Sequence, residues 1–220
     1  AGVAFTTEYI KQKMEEDPEA MSKLKRHRTA MDVELTEAQI QKMTGTIMHN
    51  RRQAGLELMQ RKLHLLESMG YLKPAGLTAK GEFGSWVYGY ELLLTELHTR
   101  GELTTLDPVS LALLMVAVVY EPRPRSPTPK PHRLSHQLRE RCEEPLIRIH
   151  REETRFRISP KTKVVAFHLS HAMDAWMSNA PFDRLTKLCD VDEGEIVRYF
   201  RMTVQLLRQL SEAPTAEETL

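Results

Sequence analysis

The chain is 220 residues long, which suits one large domain or a domain with an extension and leaves room to bury a substantial core. Its formal net charge is +1 at pH 7, so charge as a whole carries no polyanion-binding signature. The two cysteines, Cys142 and Cys189, form no CxxC, which excludes a zinc ribbon; one disulfide between them is formally open.

No stretch reads as a signal peptide, and no apolar run reaches the length of about 18 residues that a membrane helix needs. The longest, residues 111–120, is too short. The reading is a cytoplasmic protein without membrane contact. A start at Ala1 instead of Met suggests a piece of something longer.

Residues 1–60 read as an N-terminal helical extension of mixed charge. Pro18 after Asp17 fits a first-turn proline behind a cap. The basic run KLKRHR at residues 23–28 reads as a solvated face. Thr36 and Glu37 open a helical pattern through Ile40, Met43, Ile47 and Met48, with methionine as the gap filler of helix packing.

A second helical period runs through Leu56, Met59, Leu63 and Leu66, stopped by Gly70. Tyr71-Leu72 and Leu77-Thr78 flank Pro74-Ala75-Gly76, which predicts a tight turn with at most a small two-stranded ribbon. Residues 82–100 read as one helix ended by Gly101. Asp107 followed by Pro108 predicts a cap with a first-turn proline. Residues 111–119 behind it are apolar all round, as a helix with neighbours on every side must be.

Residues 122–133 (PRPRSPTPKPHR) contain five prolines and read as an extended basic loop. Their PxxP spacing also fits the ligand of an SH3-type module, the weaker reading. Between Glu121 and Val165, twelve Lys or Arg stand against six Glu, a candidate footprint for a polyanion or a solubilising surface. Helices are expected over 134–151, 164–177 and 182–188, and an acidic tail over 214–220.

Residues 192–210 form the most legible helix. Asp192 and Glu195 have the spacing of a capping box. At about 100° per residue, Ile196, Val197, Tyr199, Phe200, Thr203, Val204, Leu206, Leu207 and Leu210 fall on one broad side. Arg198, Arg201, Gln205 and Arg208 stack as one ridge on the other, without an acidic partner of their own. The ridge is a solvated face, or three arginines and an amide offered to phosphates and bases.

Catalytic signatures are missing. There is no GxxxxGK followed by Ser or Thr, no GxSxG and no HExxH. His168 and His171, with Asp174 one turn on, or His132 with His136, have the spacing of metal ligands on a helix. No carboxylate-rich partner helix repeats either motif, so surface histidines are the simpler reading. The fold class is all-α, a bundle of about eight helices.

Two blocks point further. One is LLESMGYLKPAGLTAKGEFGSWVYGYELLLTEL, residues 65–97, continuing into the helix at 106–121. The other is residues 176–210 with EGEIVRYFRMTVQLLRQL. In this order they resemble the C-terminal helical domain of superkiller-type DExH-box RNA helicases, the exosome-cofactor group, over residues 61–213. That family shows a Gly-Tyr-Leu turn, a Leu-Thr-x-Lys-Gly segment, a Glu-Leu-Leu-Leu-Thr-Glu-Leu helix and a closing Glu-Gly-x-hydrophobic-Val-Arg helix.

The resemblance implies a helical bundle packed under a helicase core. It matches residues 192–210 to the ratchet helix that lines the RNA channel. Arg198 matches an arginine of that helix, and the base-contacting positions fall at Met202 and Gln205, where the family commonly carries an arginine and an acid. The implied site set is Arg198, Arg201, Met202, Gln205 and Arg208. The implied partners are single-stranded RNA or DNA and RecA-like helicase domains of the same parent chain. ATP and magnesium would serve those domains, with no cofactor in this chain. The alternative is a protein-protein interaction module without nucleic-acid contact.

Overall fold

A computed structural model describes residues 37–214. The expectations for Pro18, for residues 23–28 and for the tail from residue 215 onward lie outside the described residues. The chain divides into two compact units, Ala1–Gly55 and Leu56–Leu220. Among the described residues there are eight α-helices and one two-stranded ribbon, an all-α architecture as the sequence predicts.

Helix α1 (Glu37–Ser68) is one long element that absorbs both helical periods read from the sequence. Leu65 is buried near its end, as is Met69 just beyond, and Gly70 follows at φ +78°. Ile47, Met48, Leu56, Met59 and Leu63 stand exposed, so these apolar residues do not fill the core as their spacing suggested. The ribbon pairs β1 (Leu72–Lys73) with β2 (Gly76–Leu77) antiparallel, Leu72 opposite Leu77.

Helix α2 (Ala79–Trp86) starts at Thr78, whose hydroxyl accepts from Gly81 N at 3.1 Å. Gly81 has no room for a side chain. A Cβ there would sit 2.1 Å from Tyr71 O, so the ribbon and α2 meet backbone to backbone. Helix α3 (Glu91–Thr99) follows after a break. The single helix expected over 82–100 is therefore two, because Gly89 takes φ +90° and its N–H donates to Glu91 Oε1 at 3.0 Å.

Helix α4 (Pro108–Val119) is the centre of the bundle. Asp107 caps it as predicted, accepting from Val109 N at 3.0 Å and Ser110 N at 3.1 Å. Every residue from Ala112 to Val119 is buried, and α8, α6 and the 3-10 turn at Phe167–Leu169 pack against it. Helix α5 (Ser135–Arg155) runs alongside α3 and accommodates Pro145 within its length.

The helix expected over 164–177 begins only at Ser170. Ala166 N donates to Ala117 O at 2.8 Å, which holds this stretch extended against α4. A 3-10 turn then leads into α6 (Ser170–Met177), followed by the short α7 (Phe182–Leu185). Helix α8 (Glu193–Glu212) closes the bundle on α4, burying Ile196, Tyr199, Phe200, Thr203 and Leu206. Each large apolar side chain so buried contributes about 1.5–3 kcal/mol. Both cysteines are free; Cys142 is buried, and desolvation pushes its thiol up to about 12. Among the described residues no helix is long and apolar enough to cross a membrane.

Candidate nucleic-acid interface

The N-terminus of α8 differs from the capping box read in the sequence. Asp192 makes no side-chain cap bond. Its carboxylate instead accepts from Arg123 at 2.8 Å, and the same guanidinium lies 3.1 Å from Glu195. The first turn still closes through the backbone, with Glu195 N 2.9 Å and Ile196 N 3.0 Å from Asp192 O. The proline-rich segment at 122–133, which has no regular structure, is thereby tied at one end to α8.

The ridge is exposed as its spacing predicts: Arg198, Arg201, Gln205 and Arg208 all face solvent, and Met202 is half-buried beside them. Among the described residues none of the three arginines forms an ion pair. The larger cationic footprint expected over 121–165 is different. Arg123, Arg141, Arg148, Arg151, Arg155 and Lys163 are each paired with a carboxylate, so half of those cations are already neutralised locally.

The ridge separates two grooves. The larger, about 860 Å³, is lined on the α8 side by Met202, Gln205, Leu206 and Gln209. Its opposite wall includes Lys62, Lys161 and Lys163, but also Glu91, Glu121 and Glu153, so its charge is mixed. Arg198 lies with its guanidinium 5.4 Å from the Tyr199 ring. Burial and Glu121 raise the pKa of the Tyr90 hydroxyl, and Arg198 pulls it back down.

The smaller groove, about 520 Å³, lies between α6, α7 and α8. Arg201, Gln205 and Arg208 line it together with Trp176 and Phe182. Trp176 is 39 % exposed and Phe182 42 %, and the Trp176 ring lies 5.0 Å from that of Phe200, tilted by 41°. Gln205 lines both grooves and so marks the crest. The grouping of Trp176 and Phe182 with the arginines escapes sequence reading, because the residues come from three separate helices and share no period.

The histidines do not form the constellation that their spacing permits. Asp174 lies 3.1 Å from His132 Nε2, and the His171 ring meets His132 edge-on at 5.0 Å. His168 points elsewhere, 5.1 Å from the Tyr120 ring, and burial lowers its pKa. Among the described residues no group of three side chains is placed to hold a metal ion.

Residues 75–220 match the family model described as the DSHCT (NUC185) domain. The chain is 28 % identical to the exosome RNA helicase MTR4 of Homo sapiens, and equally to that of Mus musculus, over 130 residues, 57 % of this chain and 12 % of each relative. It is 26 % identical to mRNA transport homolog 4 of Caenorhabditis elegans over 174 residues, 73 % of this chain and 16 % of the relative. The chain thus spans less than a fifth of the length of these relatives. The match covers β2, the central α4 and the arginine-bearing α8: the chain belongs to the DSHCT domain family, a C-terminal domain of Ski2-like helicases.

Proposed function

We propose that this chain is the accessory C-terminal helical domain of a superkiller-type RNA helicase, and that it contacts single-stranded nucleic acid through α8. In this reading Arg201 and Arg208 hold phosphates, Arg198 holds a phosphate on the Tyr90 side, and Met202 and Gln205 touch bases. The observation that carries it is the solvent-facing arginine row on α8, without carboxylate partners among the described residues. Guanidinium groups left unpaired on one helix face suit phosphate oxygens, which they bind in forked geometry.

ATP hydrolysis, with its magnesium, belongs to RecA-like domains of the parent chain, which are also the partners of this bundle. The kinship to helicases named for the exosome favours RNA over DNA as the strand. The proposal includes a cytoplasmic location, which fractionation of cells carrying a tagged chain checks.

Fluorescence anisotropy with a labelled single-stranded RNA, titrated at increasing salt, tests the contact. Affinity should fall linearly on a log–log plot, with a slope of about −0.7 for each phosphate neutralised. A folded chain that fails to bind at low salt, or binds without salt dependence, sinks the reading and favours a protein-docking module.

A further inference from the structure

We propose that the groove between α6, α7 and α8 is a nucleobase pocket, in which Trp176 and Phe182 stack an unpaired base while Arg201 and Arg208 hold the flanking phosphates. The proposal rests on the reading of α8 as a single-strand contact and adds a site to it. Three observations converge on this groove.

The first is size. About 520 Å³ lies within the range of about 300–1,000 Å³ typical of small-ligand clefts. The second is chemistry. Leu185, Phe200 and Val204 give an apolar lining, and two aromatic rings remain more than a third exposed where burial in the core would have hidden them. Every base has a π-face, so exposed rings beside a cationic row form a sequence-tolerant stacking platform.

The third is charge. Among the described residues no carboxylate lines this groove, whereas the larger groove across the crest has as many Glu as Lys in its wall. A polyanion is therefore drawn to the α6–α7 side of the ridge and repelled less there. Arginine planes at the rim reinforce the preference, since they stack on bases as well as bind phosphate.

The test uses the full 220-residue chain with Trp86→Phe, which leaves Trp176 as the sole tryptophan. The probes are an oligouridylate of about twelve nucleotides, within the usual range for single-strand sites, and an abasic ribose-phosphate strand of equal length. A third probe is an amphipathic acidic peptide.

Oligouridylate should quench Trp176 emission, and the abasic strand should bind more weakly without quenching. In anisotropy, Trp176→Ala should weaken oligouridylate binding about 5- to 150-fold, the cost of one lost stack, and leave abasic binding unchanged. Trp176→Phe should restore most of the affinity. Phe182→Ala, on a short exposed helix, gives the same discrimination if Trp176→Ala disturbs the fold, which circular dichroism reports.

If the two strands bind equally and without quenching, while Arg201→Glu weakens both, the pocket falls and the α8 contact stands. If neither strand binds the folded chain, both fall. If the peptide quenches Trp176 and oligouridylate does not, the groove is a protein-docking site and the proposal is overturned.

Discussion

Arg123 reaches across 69 residues of sequence to donate to Asp192 at 2.8 Å. The contact removes a carboxylate from its expected task of capping α8 and uses it to anchor the proline-rich segment. Burial plays no part, since both side chains are largely exposed. Exposed ion pairs fix geometry more than they stabilise. Arg123→Ala should therefore leave the melting temperature nearly unchanged while speeding tryptic cleavage at Arg125 and Arg133. Gel-resolved limited proteolysis measures this, and equal cleavage rates in both proteins would refute the anchoring role.

Glu96 is 1 % exposed and lies 2.5 Å from Lys80 Nζ, 3.3 Å from the Tyr71 hydroxyl and 3.5 Å from Arg148. Tyr71 is held far above its ordinary pKa by burial and by this carboxylate, so it stays a neutral donor. Removing one partner of a buried pair strands the other charge, at a cost of about 3–5 kcal/mol. Lys80→Ala should lower urea stability by about 3 kcal/mol, since Arg148 compensates in part. The double change Lys80→Ala with Glu96→Leu should recover much of the loss.

Single-strand affinity divides by residue. Arg201→Ala and Arg208→Ala should each weaken RNA binding roughly 3- to 10-fold and reduce the salt slope by about 0.7, as one phosphate contact is lost. Melting temperatures should not change, because both side chains are exposed and make no ion pair among the described residues. A slope that stays unaltered in both variants would show that these arginines touch no phosphate.

His98 stacks on Phe83 with ring centroids 3.8 Å apart and planes 4° from parallel, and burial lowers its pKa below the ordinary 6.5. His168 is lowered for the same reason. Between the folded and unfolded pKa values the unfolded chain binds a proton that the folded chain refuses, so stability rises with pH there. Stability should be full above about 6.5 and decline as pH falls below it. Carboxylate contributions enter lower, near pH 4. His98→Phe keeps the stack and should flatten the decline; melts at pH 7.5 and 5.5 compare the two.

The central helix was readable because its apolar run is bounded by Asp107 and Pro108, a cap and a first-turn proline whose effects are local. The ribbon was readable from Pro74-Ala75-Gly76, although the pairing is shifted by one residue at each strand. The arginine row of α8 was readable because 3.6-residue periodicity places it without reference to the rest of the chain. Distant partners hid what remained. The extended stretch before Ser170 depends on a bond from Ala166 to Ala117, and the uncapped Asp192 depends on Arg123. The break before α3 came from a glycine at φ +90° inside an otherwise helical pattern. The aromatic groove needed three helices to be placed before Trp176 and Phe182 could be seen beside Arg201 and Arg208.

The apolar, fully enclosed α4 has a dynamic consequence for the face that α8 presents. Neighbours cover α4 from Ala112 to Val119, so these residues are shut away from solvent in the folded bundle. Its amides should trade hydrogen for deuterium only when the whole bundle comes apart. The row of guanidinium groups sits on α8, which packs directly against this helix, so the face offered to a strand is backed by the part of the bundle expected to exchange last.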